Sequence, residues 1–246
     1  MRKALIAWLV IVVFVGTFTS CGTSEGEIRK EYLVMLEEPS NIENIEKISE
    51  YLNKFLSKVD VDYASDMVVG YEDYILKYDN DGIDYKQWAN RFEKHVNPAL
   101  TRLYRIKAKE QESPMVKDTV LQITWEELVI RAYDMETFIH DFKDEKLIKE
   151  DAAWMFGNYI NAMIMGTNGT PTFDYKTYKF SNKAKVTYAV FINKYPDTTI
   201  AWVLTEYFTY LDSINYTMDY NDKVSSKSFF DTCDWLVSEG GKRVFQ

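Results

Sequence analysis

Three aspartates crowd the stretch Asp79-Asn80-Asp81-Gly82-Ile83-Asp84, an oxygen density that suggests a calcium loop. Such a loop takes ligands at its first, third and fifth positions, Gly at the sixth and a bidentate Glu at the twelfth. With Gly82 at the sixth position, Lys77 falls on the first and Trp88 on the twelfth. Neither is a ligand, and Lys77 carries the wrong charge. These residues therefore read as a turn between two helices, the second capped by Asp84. His95 and His140 stand far apart on separate predicted helices, outside any His-Glu-x-x-His spacing and without a cysteine cluster. No metal and no cofactor is expected.

Nucleophile chemistry fares no better. Cys233 lies among Phe229, Phe230, Trp235 and Leu236 with no histidine nearby, the setting of a buried, inert thiol. There is no Gly-x-Ser-x-Gly turn, and the ten glycines form no phosphate-cradling loop. Glu126-Glu127 and Glu150-Asp151 are carboxylate pairs by adjacency alone, and adjacent helical residues point apart. No catalytic residue is assigned, and the sequence makes no positive case for an enzyme.

A different kind of chemistry, contact by aromatic rings, is carried by the segment from Thr167 to Phe180, which holds Phe173, Tyr175, Tyr178 and Phe180. Helix connections in bundles usually run about 2 to 8 residues, and longer ones are functional or disordered. Disordered segments are poor in aromatics, so disorder does not fit. Either these rings fold back and plug the core, or Phe173, Tyr175 and Tyr178 form a platform for a sugar ring or a partner protein. Tyrosine suits both, with an apolar face and a polar tip.

The elements that must hold these residues are helices. Ser40 and Glu43 have capping-box spacing, and Ile42, Ile45, Ile48, Leu52, Phe55 and Val59 follow a helical period behind them. A second helix is predicted over 62–78. Asp84 and Gln87 cap a third, and Asn97-Pro98 restarts the chain with Pro at a first helical position. Ser113-Pro114 is expected to open a long helix to Phe142, and Asp144 another ending near Gly166. Helices over 182–195, 198–215 and 226–239 follow, the last closed by Gly240-Gly241. No convincing run of strands is found, so the fold class is all-α, an irregular multi-helix bundle.

The N-terminal segment addresses location. Arg2 and Lys3 precede an apolar run from Ala4 to Val15, then small and polar residues lead to Cys21. A membrane-crossing helix needs roughly 20 apolar residues, and this run is shorter, as in a cleaved signal peptide. Phe18-Thr19-Ser20-Cys21-Gly22 resembles the lipobox of bacterial lipoproteins, with Phe18 where that family has Leu. The resemblance implies cleavage after residue 20, acylation of Cys21, and attachment to an envelope membrane, the outer membrane favoured. Domain organisation is then a signal peptide over 1–20, a lipidated cysteine and tether over 21–27, and one helical domain over 28–246. Loss of Arg2 and Lys3 takes the formal charge from −9 to −11. Such an acidic chain repels nucleic acid, which is excluded as a partner.

Two further resemblances are local. Tyr195-Pro196-Asp197-Thr198-Thr199-Ile200-Ala201 is similar to the junction between tetratricopeptide-type helix hairpins, without the fixed period of a repeat array. Asp118-Thr119-Val120, Asp197-Thr198-Thr199 and Asp212-Ser213-Ile214 resemble a short bacterial O-glycosylation sequon. The functional expectation is a lipid-anchored, non-catalytic binding or assembly module that holds an envelope protein. The alternative is a glycan-binding surface lipoprotein that uses the aromatic loop.

Overall fold

The computed structural model describes residues 23–79 and 81–246. The segment 1–20 expected to be a signal peptide, Cys21 and Gly22 lie outside the described residues. Among the described residues the regular structure is helical apart from two short hairpins, as the periodicity predicts. No helix there is long and apolar enough to cross a membrane.

Helix α1 (Glu25–Glu37) starts inside the stretch that its composition marks as a tether. Its cause is local: Ser24 and Glu27 form a reciprocal capping box. Helix α2 (Ile42–Phe55) is capped by Asn41 rather than Ser40, with the Asn44 amide donating to Asn41 Oδ1 at 2.9 Å. The Ser40 hydroxyl instead donates to the Tyr74 carbonyl at 2.7 Å. That bond ties the α1–α2 turn to helix α3 (Val61–Leu76). Tyrosine hydroxyls stitch this trio further, Tyr71 donating to Ile45 O and Tyr74 to Pro39 O.

Helix α4 (Tyr85–Phe92) begins at the Asp84–Gln87 pair, and α5 (Pro98–Glu112) begins with Pro98 behind an Asn97 cap, both as the spacing predicts. Ser113-Pro114 does not open a helix. Ser113 ends α5, and the chain turns into a hairpin of β1 (Val116–Lys117) and β2 (Val120–Leu121), with Val116 paired to Leu121. Asp118 and Thr119 at its tip both have positive φ, 49° and 67°. Two left-handed central residues match the twist of a two-residue hairpin. Helix α6 (Trp125–Asp141) starts only after Thr124 supplies a cap.

Helix α7 (Lys149–Met165) starts later than Asp144, because the segment before it is held elsewhere: Asn97 Nδ2 donates to Glu145 Oε2 at 3.0 Å. After it β3 (Gly166–Thr167) pairs with β4 (Thr170–Pro171). Helices α8 (Asn182–Lys194), α9 (Thr199–Ser213) and α10 (Lys223–Arg243) complete the chain. Helix α10 runs through Gly240-Gly241 instead of stopping there. A Cβ on Gly240 would stand 2.9 Å from Ile160 and Val203, so this glycine lets α10 approach α7 and α9 closely.

Successive helices pack as pairs, α4 on α5, α6 on α7, α8 on α9 and α9 on α10, while α10 also covers α7. One apolar cluster continues from Ile28 to Val244. At the tetratricopeptide-like junction, the buried Glu136 of α6 accepts the Thr199 and Ile200 amides at 2.5 and 3.1 Å. A carboxylate on a helix N-terminus satisfies orphan donors and opposes the positive end of the helix dipole.

Candidate binding cleft

Two helices set the walls of a cleft of about 490 Å³. Lys107, Glu110 and Gln111 follow i, i+3, i+4 spacing on α5. Asp151, Trp154, Met155, Asn158 and Tyr159 do the same on α7. Tyr85 enters from the start of α4, and Pro114, Met115 and Val116 cross one end as the chain leaves α5. The volume lies in the range of about 300–1,000 Å³ usual for small-molecule sites.

The charged and tyrosine side chains of the cleft are tied into two charge networks. Lys107 Nζ bridges Glu72 Oε1 at 2.6 Å and Asp151 Oδ2 at 2.5 Å, with its side chain only 15% exposed. Tyr85 and Tyr104 donate to the two oxygens of Glu72 at 2.7 and 2.8 Å. Burial alone pushes the Lys107 ammonium down, but Glu72 and Asp151 outweigh it and the net shift is upward. Burial, with Glu72 behind it, drives the Tyr85 hydroxyl far up, so it remains a protonated donor.

The second network centres on Arg131, whose Nη1 reaches Glu110 Oε1 at 2.8 Å and whose Nε reaches Glu127 Oε1 at 2.9 Å. Tyr159 donates to Glu110 Oε1 at 2.7 Å, and the Met115 amide donates to Glu110 Oε2 at 3.0 Å. Glu110 thus fixes both the α7 wall and the end of the cleft. Gln111 is used in the same way: its Oε1 accepts the Tyr85 amide and its Nε2 donates to Ile83 O. Glu127 and Asp151, partly exposed themselves, are partners of buried cations.

Trp154 is the exception to this order. It is 69% exposed, the most exposed aromatic side chain among the described residues. Its neighbour one turn on, Asn158, is half-buried, and among the described residues nothing hydrogen-bonds to its carboxamide.

The aromatic segment named from the sequence is split by the fold. Phe173 is fully buried, edge-on to both Phe180 and Phe229, so it plugs the core and has no surface to offer a ligand. Phe173 and Phe180 also pair as a β-bridge, and Thr172 Oγ1 donates to Ile164 O. The segment is therefore a folded hairpin and not a long loop. Tyr178 is half-buried with φ 61°, while Tyr175 is 52% exposed against Tyr220 at 5.0 Å and a tilt of 49°. No coplanar ring platform results.

The other residues considered for chemistry stay apart. His95 is half-buried at the end of α4 and His140 exposed at the end of α6. Cys233 is buried in α10, and burial raises its thiol far above the usual range. No cluster of His, Cys, Asp and Glu suited to a metal is found among the described residues. Of the three sequon-like stretches, Thr119 sits exposed at the tip of the β1–β2 hairpin, whereas Thr198 caps α9 and Ser213 ends it.

Neither the protein-family models nor the curated proteins nor the solved structures contain a match to this chain.

Proposed function

We propose that this chain is an envelope lipoprotein, anchored through Cys21, whose helical domain binds a ligand in the cleft between α5 and α7 without transforming it. The anchor rests on the lipobox-like run Phe18-Thr19-Ser20-Cys21 behind a short apolar segment. Attachment to the outer membrane is favoured, because Gly22 rather than Asp follows the cysteine. Two or three acyl chains on one residue would hold the protein durably, since each buried methylene contributes about 0.8 kcal/mol.

One observation carries the binding reading: an apolar cleft bears a 69% exposed tryptophan at its rim. A large indole face left in water beside a preformed hollow is the pattern of a contact surface. The non-catalytic part is supported by the state of the polar groups. Glu72, Glu110 and Asp151 are each committed to Lys107 or Arg131, and the tyrosines are committed to the glutamates. A general base needs a proton acceptor poised near the working pH and open to substrate. Salt-bridged carboxylates are poor candidates for that role.

Crosslinking in the native envelope followed by mass spectrometry tests this function. The unaltered chain is expected to yield a specific adduct that Trp154→Ala loses. An adduct pattern identical in both forms contradicts the cleft as the binding site. Anchoring is tested separately: Cys21→Ala is expected to accumulate as an uncleaved or mis-sorted precursor. Normal processing and membrane retention of that variant would refute lipidation.

A further inference from the structure

Building on the binding-module reading, we infer that the ligand of the α5–α7 cleft is a glycan, whose neutral pyranose rings stack on Trp154. The indole has no aromatic partner among the described residues, whereas the other strongly exposed tryptophan, Trp235, already meets Trp202 edge-on at 5.8 Å. One face of Trp154 is thus free to accept a flat apolar surface. On the same helix face stand Asp151, one turn before it, and Asn158, one turn after it.

These two flanking groups offer what ring hydroxyls require. Asp151 gives one oxygen to Lys107 and keeps the other, on a side chain half exposed to solvent, to accept from a hydroxyl. The Asn158 carboxamide can both donate and accept. Met115, Val116 and Met155 supply an apolar wall beside them. A pyranose ring has a C–H face and a rim of hydroxyls, so one side of it matches the indole and its edge matches the two polar groups.

Charge selects against acidic ligands. Lys107 is shared by Glu72 and Asp151, and Arg131 by Glu110 and Glu127, so a carboxylate finds no unpaired cation in the cleft. A carboxylate entering there would lose its hydration and gain no partner. A neutral polyhydroxylated ligand avoids that penalty.

The test is an array of immobilised neutral oligosaccharides: glucans, mannans, galactans and N-acetylglucosamine oligomers, from disaccharides upward. It is probed with the labelled mature chain. Retention on at least one of them is expected. Trp154→Ala should weaken it by about tenfold or more, as truncating a central aromatic anchor does. Asn158→Ala should weaken it by about threefold to tenfold, the worth of one hydrogen bond. Trp235→Ala should change nothing, and circular dichroism should be the same for all four proteins.

A blank array overturns the glycan assignment, and so does retention that Trp154→Ala leaves intact. The envelope crosslinking described above separates the two levels of failure. A blank array with a Trp154-dependent protein adduct removes the glycan and leaves the binding module. A blank array with no Trp154-dependent adduct removes both.

Discussion

Replacing Glu136 with Gln isolates a buried contact between α6 and α9. In the native protein each carboxylate oxygen takes one amide at the start of α9, Thr199 at 2.5 Å and Ile200 at 3.1 Å. The third amide of that turn, on Ala201, is taken by Thr198 Oγ1 at 3.1 Å. Glutamine keeps one acceptor oxygen but turns an N–H group toward the remaining amide. The loss of one bond to a charged acceptor costs about 1.5–3 kcal/mol. Loss of the negative charge at a partly buried helix N-terminus adds up to about 2 kcal/mol. A total near 3 kcal/mol, at roughly 2–4 °C per kcal/mol for a chain of this size, lowers Tm by about 6–12 °C. Thermal unfolding followed by circular dichroism measures the change, with urea titration as a check on the free energy. Thr198→Ala provides a scale, because an ordinary cap is worth about 1 kcal/mol. If Glu136→Gln costs no more than Thr198→Ala, the carboxylate does not anchor α9 and the reasoning fails.

Other perturbations follow from single positions. Gly166 has φ 73°, and a Cβ there would lie 2.4 Å from the Thr170 carbonyl, so Gly166→Ala should lose about 1–3 kcal/mol in urea titration. Cys233 should resist a thiol reagent in the folded protein and react stoichiometrically in denaturant, since burial both shields it and raises its thiol. Acid should destabilise the fold in one direction. Asp60, Asp84 and Asp222 are held below the usual carboxylate range by helix-start amides or, for Asp222, first by the Ser225 hydroxyl. Glu127 is held low by Arg131. Their stabilisation is complete above the ordinary carboxylate pKa and is lost as pH falls through their lowered values. Asp73 works against this trend: burial, then Glu72 and Asp151, raise it, so its contribution is lost as pH rises through its raised value. Urea titrations from neutral pH down through the carboxylate range should therefore show a net fall in stability.

Local chemistry was the legible part of this chain. The Asp84–Gln87 pair and the Asn97-Pro98 start both act as their spacing suggests, because a cap depends on residues within one turn. The β1–β2 hairpin escaped detection because its left-handed tip is built from Asp118 and Thr119, without the glycine that usually marks such turns. The long-range contacts had no sequence signal at all. Nothing in Glu136 points to an amide at Thr199, and Glu72, Lys107 and Asp151 are ordinary helical charges until α3, α5 and α7 are packed together. Trp154 did carry a readable sign. Asp151, Trp154 and Asn158 share one helix face, and a tryptophan between two polar residues on such a face is out of place in a core. In the aromatic segment the type of residue was informative but its direction was not: Phe173 points inward and Tyr175 outward, which depends on the β3–β4 hairpin.

The anchored protein is proposed to hold its ligand between α5 and α7. Site-specific photo-crosslinking in the native envelope tests this most directly, with a photoreactive phenylalanine analogue in place of Val116 on the cleft rim. A second protein carries the analogue in place of Lys54 on α2, which contributes nothing to the cleft. A discrete adduct is expected from position 116 and none from position 54. No adduct at 116, or the same adducts from both positions, would contradict it.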